Sequence, residues 1–242
     1  MVGALPAELA EAAERLFGER LDLARAYAEL LVTDGVVRGL IGPREAPRIW
    51  GRHLLNCAVV AELIPPGATL IDVGSGAGLP GVVLALARPD LAITLIEPLA
   101  RRAAFLTEVV AKLGLEPVVT VVRARAEEWA ATSAAVESQG ADIVTARAVA
   151  PLDRLAGWCL PLAAVGGRLL ALKGASAADE VAEHRATVDR LGGGPPVIRR
   201  CGIGLIDPPT TVVEIVRTRV VAPQPPRSAR KSSGSRRRPR SR

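Results

Sequence analysis

Hydrophobic positions follow two different patterns in the two parts of the chain. In residues 1–66 apolar side chains recur every three or four positions, which predicts helices at 5–32 and 46–63. After Pro65-Pro66-Gly67, short continuous apolar runs alternate with segments of helical spacing. The apolar runs predict seven strands, at 69–73, 92–97, 118–122, 142–146, 168–173, 196–203 and 211–219. The segments between them predict helices at 80–87, 99–113, 127–131, 152–162 and 177–191.

Strands that are apolar throughout and alternate with helices are typical of a parallel sheet covered on both faces. The last two strands flank a short turn containing LIDPP, which favours an antiparallel hairpin. We therefore predict an α/β fold with a Rossmann-like, mostly parallel seven-stranded sheet, an antiparallel C-terminal hairpin and additional N-terminal helices. One domain is expected over 1–220, with 1–66 as its helical extension.

The net charge of +6 comes from the C-terminus. From Gln224 onward there are eight Lys/Arg and no Asp/Glu, so the rest of the chain carries 23 basic and 25 acidic residues. Arginine, serine and proline cannot build a packed core, and we predict a disordered basic tail at 221–242. The tail is interpreted either as a solvating terminus or as an arm that binds nucleic acid.

Cysteine usage and hydropathy limit the remaining possibilities. Cys57, Cys159 and Cys201 are widely spaced and form no C-x-x-C pair, which indicates buried thiols in a reducing compartment rather than disulfides or a metal site. Carboxylates occupy the N-terminus where a signal peptide would carry positive charge. The uncharged run from Val73 to Ala87 is too short to span a membrane. We expect a cytoplasmic monomer without metal or membrane partners.

The segment LIDVGSGAGLPG at 70–81 follows the first predicted strand and contains four glycines. Glycine readily adopts positive φ and lets a ligand approach the backbone closely. In a sheet of this kind, ligands bind beyond the carboxyl ends of the strands, where the strand order reverses. The segment also matches G-x-G-x-x-G, and Glu97 lies about 20 residues further on, so a nicotinamide dinucleotide is one possible ligand.

Two residues favour S-adenosylmethionine over a dinucleotide. Pro80 lacks one of the amide donors that a pyrophosphate needs at a helix N-terminus. Asp72 would repel that pyrophosphate by roughly 4 kcal/mol at intermediate dielectric. Adenosylmethionine has no phosphate, and its ammonium and sulfonium would be attracted by Asp72. Gly74, Gly76 and Gly78 then form the cofactor turn, Glu97 accepts hydrogen bonds from the ribose hydroxyls, and 125–128 lies where an adenine ring is expected.

Five motifs in this order resemble those of the small-subunit ribosomal RNA guanine-N7 methyltransferases, the RsmG or GidB family. They are DVGSGAGLPG (72–81), RRAAFL (101–106), RAEE (125–128), TARAVAPL (145–152) and ALKG (171–174). The resemblance extends from about residue 20 to 218 and excludes the basic tail. RHLLNC at 52–57 is similar to the family's H-x-x-D-S segment, but Asn56 replaces the aspartate and Cys57 the serine.

The resemblance implies a site, a cofactor and a substrate. It implies that Gly74 and Leu79, the pair Ala126 and Glu127, and Arg147 bind adenosylmethionine. The implied substrate is one guanine in the decoding-region loop of 16S rRNA, within the small ribosomal subunit or its precursor.

The residues themselves are compatible with this chemistry. Guanine N7 has an exposed lone pair, so direct in-line methyl transfer needs no general base, and alignment alone can lower the barrier by roughly 7–11 kcal/mol. Arg147 and Lys173 end neighbouring predicted strands; we interpret them as catalytic donors, Arg147 to guanine O6 and Lys173 to a phosphate or base edge. Three alternatives stay open, namely another RNA or small-molecule methyl acceptor, an NAD-dependent oxidoreductase, and an RNA-binding protein that has lost catalysis.

Overall fold

The computed structural model describes residues 3–132 and 140–221. The predicted basic tail therefore lies, apart from Val221, outside the described residues. Within the described ranges no helix has the length and apolar character needed to cross a bilayer. The same ranges contain no cluster of three or more His, Cys, Asp or Glu side chains that could hold a metal ion.

The N-terminal extension is helical, as predicted, but its helices are shorter and less regular than the spacing of its hydrophobic residues predicts. Helices α1 (Ala10–Phe17) and α2 (Leu21–Leu30) replace the single helix predicted at 5–32. They are separated at Gly18, whose φ of +49° no α-helix accommodates. The second predicted helix is a continuous run of 3₁₀, π and α turns, with π-helical backbone at Ile49–Leu55 and the α-turn α3 at Asn56–Ala58.

The sheet has the predicted seven strands in the order β3-β2-β1-β4-β5-β7-β6. The strands β1 to β5 pair in parallel, while β7 is antiparallel to both β5 and β6, which confirms the C-terminal hairpin. Their bounds are β1 Thr69–Val73, β2 Ala92–Ile96, β3 Val119–Val122, β4 Ala141–Arg147, β5 Ala163–Lys173, β6 Val197–Cys201 and β7 Thr210–Val216.

Strand β5 begins five residues earlier than predicted. The Gly166 amide donates to the Arg217 carbonyl just after β7, and the Gly167 carbonyl accepts from the Arg217 amide. The register between β4 and β5 shifts at this point, which accommodates the glycines as an irregularity within the strand. The prediction failed because a glycine pair marks a turn and a bulge equally well in a sequence.

The remaining helices cover the two faces of the sheet. They are α4 Gly81–Ala87, α5 Ala100–Lys112, α6 Ala126–Ala130, α7 Leu152–Cys159 and α8 Ala177–Arg190. One core contains side chains of the N-terminal extension, α4 and α5; the other contains side chains of α6, α7 and α8. Since β1 lies between β2 and β4, the strand order reverses beside β1, and the glycine turn emerges at this switch point.

Candidate functional site

The glycine turn after β1 is held by backbone hydrogen bonds within the turn and to the end of β2. Gly74, Gly76 and Gly78 have φ values of +69°, +60° and +99°. The Gly78 amide donates to the Ser75 carbonyl at 2.7 Å, and the Gly74 amide donates to the Ile96 carbonyl of β2 at 2.9 Å. A Cβ at Gly78 would lie 2.7 Å from the Tyr27 hydroxyl, so this position has no room for a side chain.

Asp72 has a different role from the predicted one. Its carboxylate is fully buried beneath the turn and does not line the cleft. It accepts hydrogen bonds from the Gly81 amide at 3.1 Å and the Thr145 hydroxyl at 2.8 Å. Burial raises the pKa of Asp72 to about 6 although three hydrogen bonds oppose this shift. Asp72 therefore supports the turn and does not contact a ligand directly. Its charge can attract a cation in the cleft only across the turn.

The N-terminus of α4 offers few donors to a pyrophosphate. Pro80 has no amide proton, the Gly81 amide donates to Asp72, and the Val82 amide donates to the Gly78 carbonyl at 2.9 Å. A dinucleotide requires free amides at this position. The structure thus strengthens the argument made from Pro80 in the sequence.

A cleft of about 930 Å³ opens above the turn. Its floor is formed by 74–77 and Leu79, and its walls by 97–99, 123–125 and 147–149. Leu40, Ile41 and His53 of the N-terminal extension close the remaining side. The volume is typical of a small-molecule site.

Glu97 directly follows β2 and lies beside the glycine turn, one residue beyond the strand that was predicted to end with it. Its side chain lines the cleft, and its two oxygens accept hydrogen bonds from the Gly76 amide at 3.0 Å and the Leu99 amide at 2.9 Å. Each carboxylate oxygen has more than one acceptor site, so Glu97 can still accept from a hydroxyl group. Glu97 consequently fixes the turn and remains available to a ribose.

The residues predicted beside an adenine ring are only partly at the cleft. Arg123, Ala124, Arg125 and Glu128 line it, whereas Ala126 is buried in the core below α6 and the exposed Glu127 does not face it.

Sequence reasoning missed Arg102. It lines the cleft, and its buried Nε has no hydrogen-bond partner among the described residues. This N–H group is therefore available to donate to an acceptor in the cleft.

Arg147 lies at the end of β4 and lines the cleft, as predicted. Its guanidinium donates to His53 Nδ1 at 2.8 Å, to the Arg52 carbonyl at 3.3 Å and to Cys57 Sγ at 3.3 Å. His53 Nε2 lies 2.9 Å from Glu45 Oε2. In the sequence His53 belongs to the segment RHLLNC, which gives no sign of its contact with Arg147.

Lys173 ends β5 next to Arg147, but its amine does not reach the cleft. Its Nζ donates to Glu180 Oε2 at 2.7 Å and to the Ala150 carbonyl at 2.9 Å. Glu180 also accepts from the Leu152 amide at the start of α7. These contacts correct the interpretation of Lys173 as a donor to RNA, because they make it a tie between the 148–151 loop and α8.

The sheet order, the C-terminal hairpin and the glycine turn define the class of adenosylmethionine-dependent methyltransferases with a Rossmann-like fold. The mitomycin 7-O-methyltransferase MmcR has this fold, with a TM-score of 0.55 and 20% identity over 87% of this chain and 66% of that chain. A protein of Methanococcus maripaludis, described as S-adenosyl-L-methionine-dependent methyltransferase, has a TM-score of 0.53 at 13% identity and covers 78% of this chain and 92% of its own.

The chain belongs to the rRNA small subunit methyltransferase G family, whose model matches residues 20–202. The ribosomal RNA small subunit methyltransferase G of Salinispora tropica is 70% identical over 233 residues, which cover 96% of each protein. The same enzyme of Rhodococcus jostii is 58% identical over 217 residues, 89% of this chain and 93% of that one. The family predicted from the five motifs is therefore confirmed.

Proposed function

We propose that this protein methylates N7 of a guanine in the decoding-region loop of 16S rRNA, with adenosylmethionine as methyl donor and without an obligatory general base. The class of RNA follows the family. The choice of acceptor atom is supported by the side chains at the end of β4, and one observation there carries it.

That observation is the engagement of both ring nitrogens of His53, which lies beside Arg147. Of the described residues that line the cleft, His53 is the one imidazole, and both of its nitrogens are engaged, by Arg147 and by Glu45. An amino or hydroxyl acceptor must lose a proton during methylation, whereas guanine N7 attacks with a lone pair. Because the imidazole of this site is hydrogen-bonded to an arginine, the site is better suited to a methyl acceptor that does not have to be deprotonated.

Arg147 supplies the matching recognition. A guanidinium has five N–H donors, and three hydrogen bonds to protein acceptors leave two donors in the described structure. The Hoogsteen edge of guanine carries only acceptors, O6 and N7. A donor to O6 leaves the N7 lone pair free to attack, so we assign Arg147 to O6.

The cleft fits adenosylmethionine in three respects. Glu97 is available to the ribose hydroxyls, the unpaired Nε of Arg102 offers a donor to a carboxylate, and the buried charge of Asp72 favours a cation above the turn. When bound, the cofactor supplies a methyl group on an electrophilic sulfonium. The protein then contributes alignment of the acceptor and exclusion of water.

The RNA backbone requires positive charge around the cleft. Arg123 and Arg125 are exposed on one rim; Arg44, Arg48 and Arg52 are exposed on the N-terminal extension. We assign phosphate contacts to these two groups. Arg38 pairs with both oxygens of Glu108 and links the extension to α5.

The decisive experiment is transfer of a labelled methyl group to purified small ribosomal subunits that lack the modification. Digestion of the RNA is expected to release the label as 7-methylguanosine, and Arg147→Ala is expected to lower the turnover number. Label in an amino-methylated base, or in no base at all, would contradict the proposal. Parallel reactions with naked 16S rRNA show whether the folded subunit is required.

A further inference from the structure

We infer that His53 is a positioning residue, which holds Arg147 in the one orientation that presents its free N–H groups to the methyl acceptor. This inference rests on the proposed function of Arg147. It concerns a chain of three side chains, Glu45, His53 and Arg147, in which neither Glu45 nor His53 touches the reacting atoms.

The geometry fixes the tautomer of His53. Arginine can only donate, so the 2.8 Å contact requires a lone pair on Nδ1. The ring proton must then lie on Nε2, where it is donated to Glu45 Oε2 at 2.9 Å. A carboxylate that holds the far nitrogen of an imidazole is a common means of setting its tautomer.

The surroundings keep the imidazole neutral. Burial lowers the pKa of His53, and the charges of Arg147 and Arg52 lower it further, while Glu45 opposes them. Glu45 is itself shared with Arg48 at 2.7 Å and Arg52 at 3.2 Å, which weakens its pull on the ring. A protonated His53 could not accept from Arg147 and would repel it.

The other acceptors of Arg147 are weaker. Burial raises the pKa of the Cys57 thiol, so its sulfur stays protonated and accepts poorly. The Arg52 carbonyl lies at 3.3 Å, compared with 2.8 Å for His53 Nδ1. His53 is therefore the contact that determines where the guanidinium points.

The test is a double-mutant cycle of His53 and Arg147, with kcat measured at saturating cofactor and saturating unmodified small subunits. His53→Leu is expected to lower kcat by about tenfold to about a hundredfold, because a charge-assisted hydrogen bond is lost and Arg147 is misplaced. His53→Asn is expected to recover part of this loss because its amide oxygen can replace Nδ1 as acceptor. The Kd of adenosylmethionine should stay within about twofold in both variants.

The cycle separates positioning from simple structural support. If His53 acts through Arg147, His53→Leu costs no more than about twofold in an Arg147→Ala background. An equal loss in both backgrounds would overturn the inference, as would normal kcat in His53→Leu when Arg147→Ala is impaired; in that second case the proposed function survives. Normal turnover by Arg147→Ala would remove the role assigned to Arg147 and with it this inference, whereas release of 7-methylguanosine would still support the proposed function.

A second variant guards against unfolding of His53→Leu. Glu45→Gln keeps the shape of the partner but no longer dictates which imidazole nitrogen carries the proton, and a loss of a few-fold in kcat is expected. Glu183→Gln is the matched control, because Glu183 lies beside His184 on the exposed face of α8, 3.9 Å away and outside the cleft. Equal kcat in these two glutamine variants would overturn the inference.

Discussion

The two halves of the cleft are built in different ways. The glycine turn at 72–81 is a local structure, in which a continuous segment folds over Asp72 and is held by hydrogen bonds from Gly78 and Gly81. The acceptor side joins Arg147 of β4 to His53 of the extension, 94 positions apart in sequence. One half is specified by a motif, and the other by packing of the extension against the sheet.

The two halves of the cleft should therefore respond differently to amino-acid substitution. A local turn without room for a Cβ fails when one atom is added. A long-range contact fails when either partner is lost, and its effect depends on how firmly the extension is attached. The following predictions use this comparison, from the largest expected effect to the smallest.

Gly81→Ala is expected to have the largest effect. A Cβ at this position would overlap Leu95 and lie 2.8 Å from Asp72 Oδ2, and both of these side chains are fully buried, which leaves them little room to move. Overpacking of this kind lowers the free energy of unfolding by about 1–3 kcal/mol or more. We expect the variant to lose adenosylmethionine binding, as measured by calorimetry.

Gly157→Ala is the matched control. Gly157 lies within α7, and the nearest atom that the described part of the chain brings to its Cβ position from outside this helix is Leu191 Cδ1, at 3.9 Å. Alanine in a helix interior is expected to raise the free energy of unfolding by roughly 0.5–1 kcal/mol and to leave cofactor binding unchanged. If both variants bound the cofactor equally, the glycine turn would not be as sterically constrained as its geometry indicates.

The sequence predicted the local half of the site and most of the fold. Strand and helix periodicity, the glycine turn and Glu97 depend on neighbours in the chain, and the structure places them as expected. Asp72 and Lys173 were assigned to ligands because a strand-end charge looks the same in a sequence whether it faces the cleft or the protein. Their partners, Thr145 and Glu180, belong to other elements and became visible only in three dimensions.

Lys173→Met tests the corrected role of Lys173. The lysine side chain is about 10% exposed, and its loss leaves the Ala150 carbonyl without this donor and Glu180 without its cationic partner. We expect the free energy of unfolding to fall by about 2 kcal/mol in urea titrations. The kcat of the folded fraction should change by less than about threefold. A large loss of kcat with unchanged stability would instead support contact between Lys173 and RNA.

The pH dependence of cofactor binding tests the remote charge of Asp72. Its pKa is raised to about 6 from an ordinary value near 4, so the folded protein keeps this proton at a pH where the unfolded chain has lost it. Ionised Asp72 therefore opposes folding above pH 6 but favours a cationic ligand. The affinity for adenosylmethionine should be full above about pH 7 and fall by up to about tenfold as the pH drops through 6 to 5.

Adenosylhomocysteine, which lacks the sulfonium charge, is the matched ligand for this titration. The affinity of adenosylhomocysteine should fall less over the same pH range, because its ammonium is the one cationic group that the charge of Asp72 can attract. The same titration with His53→Asn removes the contribution of the imidazole that lines the cleft. Identical pH profiles for the two ligands would show that Asp72 serves the turn alone.

Tyr27→Phe is expected to have the smallest effect, yet it connects the two halves of the cleft. Tyr27 belongs to α2 of the extension, is fully buried, and donates its hydroxyl proton to the Ala77 carbonyl of the glycine turn at 2.7 Å. Burial raises the pKa of Tyr27, so the hydroxyl remains a donor at all working pH values. Phenylalanine preserves the packing and removes one hydrogen bond, which costs about 1 kcal/mol and corresponds to about fivefold weaker adenosylmethionine binding.

Because the acceptor side does not contact this hydroxyl, kcat at saturating cofactor should be unchanged, in contrast to His53→Leu. A fall in kcat without a change in Kd would show that the extension controls both halves of the cleft together.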